Sequence, residues 1–189
     1  MDAYNHNLNT SANYYSSVCT THTYQDRIDT VNVAKENGLS SCSGCLFGMG
    51  EKEEDILQLA SAMRQMKADS IPLNFLIPIQ GTPLGDKREL TPQKCLKILC
   101  LFRFLNPKSE IRIAGGREVQ LRWLQPLGLY VANSIFIGDY LTTKGQKPEA
   151  DLAMIQDMGF EIEGNLDFSS APRAEKDMPQ SREFSVQLK

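Results

Sequence analysis

The spacing of apolar residues alternates along the chain between a helical period and short, nearly continuous apolar runs. Helices are predicted where apolar residues recur every three or four positions, and strands where a short run is almost wholly apolar. The predicted helices begin near residues 23, 51, 91, 117 and 148, and the predicted strands cover residues 39–46, 70–79, 110–114 and 132–138. Strands that alternate with helices over short connections form βαβ units. The pattern therefore predicts an α/β fold with parallel strands.

Local signals mark the ends of two of these helices. Thr23 and Asp26 have the spacing of a capping box, with aspartate in place of the more usual glutamate. Gly38 stands where a glycine commonly ends a helix. Thr91 and Pro92 supply an N-cap followed by proline at the first helical position. These signals predict well-defined starts for both helices.

The end of the chain has a different character. After Gly164 the sequence becomes polar and loses its apolar period. Segments that cannot bury apolar surface do not repay the entropy of ordering. We therefore predict one domain over residues 1–163 and a disordered tail over residues 164–189.

Composition narrows the class of protein. The 189 residues are 41% hydrophobic and 23% charged with a net charge of −3, which is ordinary for a globular domain and argues against nucleic-acid binding. No apolar run approaches the ~20 residues that a membrane-spanning helix needs, and the first residues do not form a signal peptide. With no secretory signal, five cysteines favour a reducing cytoplasmic location over a disulfide framework.

Polar side chains interrupt the predicted strands. Cys42, Asn74 and Arg112 fall inside three strands, and Asn133 begins the fourth. Such groups are costly to bury without partners, the guanidinium most of all. In parallel α/β folds the carboxyl ends of the strands carry the site. These residues are therefore candidates for chemistry.

The sequence Cys42-Ser-Gly-Cys45 also spells a Cys-x-x-Cys motif. A thioredoxin-like motif follows a strand and opens a helix, whereas an apolar run continues here after Cys45. A zinc site needs four ligands, and Cys95 and Cys100 are better explained as residues of a helix in the core. A thiol–disulfide oxidoreductase stays an open alternative at this stage.

Eight motifs in series resemble the biotin synthase family. They are Tyr4-Asn-His-Asn-Leu-Asn-Thr-Ser11, Thr20-Thr-His-Thr-Tyr-Gln-Asp-Arg27, Cys42-Ser-Gly, Gly48-Met-Gly-Glu51, Pro72-Leu-Asn74, Gly81-Thr-Pro-Leu84, Ile111-Arg-Ile-Ala-Gly-Gly-Arg-Glu118, and Ala132-Asn-Ser-Ile-Phe136 with Leu141-Thr-Thr143. Each motif is modest alone, but their order and spacing together are specific.

The resemblance implies a radical S-adenosylmethionine enzyme on a TIM-type barrel. In that family a 4Fe–4S cluster cleaves S-adenosylmethionine to a 5′-deoxyadenosyl radical, which abstracts hydrogens from dethiobiotin. Sulfur from a 2Fe–2S cluster, held by three cysteines and one arginine, then closes the ring of biotin. The family is typically homodimeric.

The same resemblance assigns five site residues. Cys42 matches a cysteine ligand of the 2Fe–2S cluster, and Arg112 matches its arginine ligand. Asn7 matches a residue that contacts both substrates, and Asn74 matches a polar contact in the substrate pocket. Asn9 falls where the family commonly has an aspartate for the ribose hydroxyls of S-adenosylmethionine. No catalytic residue is assigned with certainty.

The Cys-x-x-x-Cys-x-x-Cys motif that holds the family's 4Fe–4S cluster is absent from this sequence. The resemblance therefore implies a partial TIM-type barrel: the C-terminal half, with roughly the last four βα units. We expect the isolated chain to be inactive. An alternative is that the half-barrel is a binding or assembly module that pairs with a separate N-terminal half or with itself.

Overall fold

The computed structural model describes residues 3–140, 143–163 and 184–188. Its strands are β1 (Ala3–Asn5), β2 (Ser40–Cys42), β3 (Cys45–Phe47), β4 (Ser70–Phe75), β5 (Glu110–Ile113), β6 (Ser134–Ile137) and β7 (Phe184–Gln187). Its helices are α1 (Ala12–Tyr15), α2 (Tyr24–Glu36), α3 (Glu53–Met66), α4 (Pro92–Leu105), α5 (Arg117–Gln120), α6 (Gln125–Gly128) and α7 (Pro148–Asp157), with a 3₁₀ turn at Arg122–Leu124.

The strands form one sheet in the order β1-β2-β4-β5-β6-β7, and β3 pairs with β4 beyond the end of β2. All pairings from β1 to β6 are parallel, and only β7 is antiparallel. Since β2 and β3 share one place, the parallel part has five strand positions and curls into a half-barrel. The predicted partial α/β barrel with parallel strands is confirmed.

The structure differs from the sequence prediction at three strands. β1 is an additional strand. The search for apolar runs does not predict it, because its three residues are largely polar and not buried. The predicted strand at 39–46 is broken at Ser43 and Gly44, where the Gly44 N–H donates to Asn7 Oδ1 at 2.8 Å. The predicted strand at 70–79 ends at Phe75, because the next carbonyl, that of Leu76, accepts from the Gln120 side chain at 2.6 Å.

The predicted disordered tail falls largely on residues 164–183, which lie outside the described residues. The described residues 184–188 instead form β7 and a bridge from Leu188 to Ile162. At these five residues the structure differs from the prediction, since backbone pairing with β6 does not require the apolar period on which the prediction rested.

The two faces of the sheet differ in polarity, because successive strand residues point to opposite faces. Ile71, Leu73, Ile111 and Ile113 alternate on one face, and all are buried in the core. Apolar residues of α3 and α4 belong to the same core, among them Leu59, Met63, Cys95, Leu99 and Phe102. The polar residues on the alternate strand positions face the inside of the half-barrel.

The predicted capping box at the start of α2 is confirmed. The Asp26 N–H donates to Thr23 Oγ1 at 3.2 Å, and the Thr23 N–H donates to Asp26 Oδ2 at 2.7 Å. We expect Thr23→Ala to lower the free energy of unfolding by about 1 kcal/mol, since a helical N–H loses its acceptor. Thr30→Ala is the matched control, because the Thr30 hydroxyl bonds only a helix carbonyl. Urea denaturation measures both, and equal losses would contradict a capping role.

Candidate functional site

The carboxyl ends of the parallel strands surround a cavity of about 500 Å³. Asn7, Asn9 and Asn74, the three amides assigned to substrates from the sequence, all line it. Its remaining walls are mostly apolar and come from Pro72, Phe75, Leu76, Ile77, Phe136 and Tyr140, among others. The structure therefore brings residues from four separated motifs into one concave site, at the edge where α/β barrels carry their chemistry.

Contacts between the motifs position the Asn7 side chain and the Asn9 backbone. Asn7 Oδ1 accepts from the Gly44 N–H, and a Cβ at Gly44 would lie 2.6 Å from that oxygen. Asn9 has a left-handed backbone (φ 66°), which asparagine tolerates better than most residues. Its carbonyl accepts from the Leu46 N–H at 2.7 Å. The polar segment after β1 is thereby tied to β3.

Asn74 bridges two strands. Its Nδ2 donates to the Cys45 carbonyl at 3.1 Å, and its Oδ1 accepts from the Gly115 N–H at 3.0 Å. Each end of an amide has capacity for a second hydrogen bond. The side chain is therefore held in one orientation while retaining one donor and one acceptor position for a ligand in the cavity.

Cys42 lies half-buried on the inner face. The Asn5 amide donates to its sulfur at 3.2 Å. Burial raises the pKa of the thiol, although Arg112, Ser70 and Asn5 oppose this shift. The thiol therefore favours its protonated form unless a metal or another positive group draws it into the thiolate form.

Arg112 lies two strands away on the same inner face. Its Nε donates to Ser134 Oγ at 3.0 Å, its guanidinium lies 5.1 Å from the centre of the Phe136 ring, and it forms an ion pair with Glu110. Sequence reasoning missed Glu110. Its position two residues before Arg112 on a strand places both side chains on the same face, and this spacing was the available signal.

The two thiols of the Cys-x-x-Cys motif do not form a pair. Cys45 is buried in the core among apolar side chains, whereas Cys42 faces the inner side. Both are free, and burial raises the pKa of the Cys45 thiol well above its ordinary value. A redox-active pair needs a low-pKa, accessible thiol beside its partner. This geometry does not favour the oxidoreductase alternative.

Tyr140 is a further cavity residue that sequence reasoning missed. Its hydroxyl donates to Glu118 Oε1 at 3.0 Å, and the Gln146 N–H donates to the same oxygen at 3.0 Å. Burial raises the pKa of the phenol, so Tyr140 is neutral. Its hydroxyl is committed to Glu118 and its ring forms part of the cavity wall.

Both histidines of the chain lie beside Arg27. The Arg27 Nε donates to His22 Nε2 at 2.9 Å and to the Tyr15 hydroxyl at 3.0 Å, and one terminal nitrogen lies 3.4 Å from His6 Nε2. Burial, with a smaller contribution from Arg27, lowers the pKa of His6. This cation connects the motif that begins at Tyr4 with the one that ends at Arg27.

The described residues contain no group of three His, Cys, Asp or Glu side chains placed to hold a metal ion. Cys42 and Arg112 can provide only part of a ligand set. In the same part of the chain, none of the helices has the length and apolarity needed to cross a membrane.

Comparisons with known proteins agree with the motifs. The family model of the Biotin and Thiamin Synthesis associated domain matches residues 72–161. Biotin synthases of Bacillus cereus (strain AH187), Bacillus anthracis and Bacillus mycoides are each 61% identical to this chain over 160 residues, which is 85% of this chain and 48% of each relative. The chain thus spans about half the length of the curated relatives it matches. By these similarities, the chain resembles the C-terminal half of biotin synthases.

Proposed function

We propose that this chain supplies the substrate-binding half of a biotin synthase, the enzyme that inserts sulfur into dethiobiotin to give biotin. The observation that carries the proposal is the 61% identity over 160 residues, together with one cavity lined by the three amides of the family motifs. Dethiobiotin and S-adenosylmethionine are the small molecules that this cavity would take.

The amides suit these ligands chemically. A carboxamide donates and accepts hydrogen bonds at once, as a ureido ring or a ribose diol requires. Asn74 is held by Cys45 and Gly115 and keeps a donor and an acceptor for the ligand. Asn9 stands where the family usually has an aspartate. Its amide can still hydrogen-bond to the ribose diol, but it lacks the negative charge. The apolar cavity walls suit the hydrocarbon part of dethiobiotin.

Cys42 and Arg112 are the residues proposed to bind the 2Fe–2S cluster. The thiol and the guanidinium share the inner face, and an N–H of Asn5 already points at the sulfur, as is typical around cluster thiolates. When bound, that cluster would supply the sulfur atom. The other thiolates, the 4Fe–4S cluster, the homodimer, an N-terminal half-barrel partner and the cytoplasmic location all stay predictions from the resemblance.

We expect Cys42→Ser to abolish biotin formation when this chain is joined to the remaining half of Bacillus anthracis biotin synthase. The serine hydroxyl is a far poorer iron ligand than a thiolate. The assay is anaerobic reconstitution with iron, sulfide, S-adenosylmethionine and dethiobiotin, followed by biotin quantification and visible absorption of the clusters.

Cys100→Ser and Cys45→Ala are the matched controls. Cys100 is exposed and Cys45 lies in the core, so both variants should keep the cluster absorption and the product. Full activity of the joined protein that carries Cys42→Ser would overturn the assignment of Cys42. Biotin formation by the unjoined chain alone would overturn the expectation that it is inactive.

A further inference from the structure

The sheet changes direction at one edge. β1 to β6 are parallel, whereas β7 runs antiparallel along β6. The pairing covers the whole of β6, from Ser134 with Gln187 to Ile137 with Phe184. The outer edge of the last parallel strand is thus covered by a segment from the end of the chain.

Backbone and side-chain hydrogen bonds hold the end of this segment. The Leu188 N–H donates to the Asn133 carbonyl at 3.0 Å, and the Gln187 carbonyl accepts from the Glu163 N–H at 2.8 Å. The Gln187 side chain reaches the inner face, where its Nε2 donates to Glu110 Oε2 at 2.8 Å. Glu110 is the ion-pair partner of Arg112. The strand therefore covers an edge and also touches the proposed cluster site.

The backbone groups on one side of β6 can pair with only one neighbour at a time. In a closed barrel every strand has two neighbours, whereas a half-barrel leaves two edges with unpaired N–H and C=O groups. This chain spans about half the length of its relatives, so their remaining half must supply the strands that complete such a sheet. Closure at β6 by a parallel strand requires β7 to leave.

We propose that the outer edge of β6 is a strand-exchange site. In this chain by itself β7 occupies the edge, and a parallel β-strand from the remaining half of a biotin synthase displaces it. The departure of β7 also removes Gln187 from Glu110, so assembly and rearrangement of the inner face are coupled. The proposal rests on the family and the half-barrel sheet, and not on cluster chemistry.

Hydrogen exchange and sedimentation test this proposal. The partner is the part of Bacillus anthracis biotin synthase that this chain does not match, expressed separately. Adding it to the unaltered chain should speed exchange of the Leu188 amide, which donates to the Asn133 carbonyl, by about tenfold or more, since losing a backbone hydrogen bond changes an equilibrium by about this order. The β6 amides should stay protected. Association that leaves the exchange of Leu188 unchanged would overturn the proposal, as would an absence of association.

A proline variant tests the competition directly. Val186→Pro/Leu188→Pro removes two backbone N–H groups from the segment, and Val186→Ala/Leu188→Ala is the matched control that keeps them. In the proline variant we expect faster exchange at β6 and roughly fivefold tighter association with the partner. Unchanged β4 and β5 protection shows that the variant is folded. Weaker association of a folded proline variant would overturn the proposal, because β7 would then help the interface. Neither readout requires biotin formation, so failure of the strand-exchange proposal can be distinguished from failure of the proposed function.

Discussion

Replacing Arg117 with methionine is expected to lower the free energy of unfolding by roughly 3–5 kcal/mol, the usual effect of breaking a buried ion pair. The side chains of Arg117 and Asp151 are both fully buried, and their closest N–O distance is 2.6 Å. The guanidinium also donates to the Phe136 carbonyl at 3.3 Å. Methionine would leave the Asp151 carboxylate buried without its cation. Urea denaturation followed by circular dichroism measures the loss.

The double variant Arg117→Met/Asp151→Leu separates charge from packing. Removing both charges avoids the unpaired carboxylate, so it should recover more than half of the loss. Arg122→Met is the surface control, since the exposed Arg122 bonds only the Val119 carbonyl, and we expect a change within about 0.5 kcal/mol. A single variant no less stable than the double variant would show that the ion pair is not what holds α5 to α7.

Substituting Gly116 by alanine is expected to destabilise the fold and distort the cavity. The backbone of Gly116 is left-handed (φ +81°), and an added Cβ would lie 1.8 Å from the Phe75 carbonyl oxygen. Such an approach forces the β4 and β5 ends apart. Because Asn74 is anchored to the neighbouring Gly115, the amide should lose its fixed orientation. We expect weaker binding of dethiobiotin to the joined protein and a lower midpoint of urea unfolding.

Gly38→Ala provides the matched comparison. Gly38 has nearly the same backbone angle (φ +77°), but an added Cβ there would meet no atom within 4 Å. Its cost is the left-handed strain alone, about 1 kcal/mol. Gly116→Ala should therefore cost clearly more, and only Gly116→Ala should affect ligand binding. Equal losses at the two glycines would show that the clash with Phe75 is relieved by the backbone.

The sequence predicted the regular part of the fold because local chemistry and burial agree there. Thr23 and Asp26 form the predicted cap, and Thr91 caps α4 at the predicted place. The limits of strands were harder to predict. Apolar residues continue past Phe75, but the Leu76 carbonyl bonds to the Gln120 side chain of α5, and periodicity carries no information about such partners.

The candidate site could be predicted in part. The family motifs supplied Asn7, Asn9 and Asn74, and the structure places all three at one cavity. Glu110 and Tyr140 were missed because neither belongs to a motif quoted for its chemistry. Glu110 pairs with Arg112 on the same strand, a spacing that indicates a shared face but not an ion pair. Tyr140 bonds to Glu118 on another element, and one sequence does not reveal such a tertiary contact.

By itself the sequence determined the βα alternation, the helix caps, the resemblance to biotin synthases and the residues proposed for the site. These depend on neighbouring residues along the chain or on the order of the motifs, and the linear sequence contains both. Only the tertiary structure decided that Cys42 and Cys45 lie on opposite sides of the sheet, that Glu110 pairs with Arg112, and that β7 covers the edge of β6. The first depends on the break in the strand at Ser43 and Gly44, the second on side-chain conformations on one strand, and the third on pairing between segments far apart in sequence. The order of residues alone reveals none of the three.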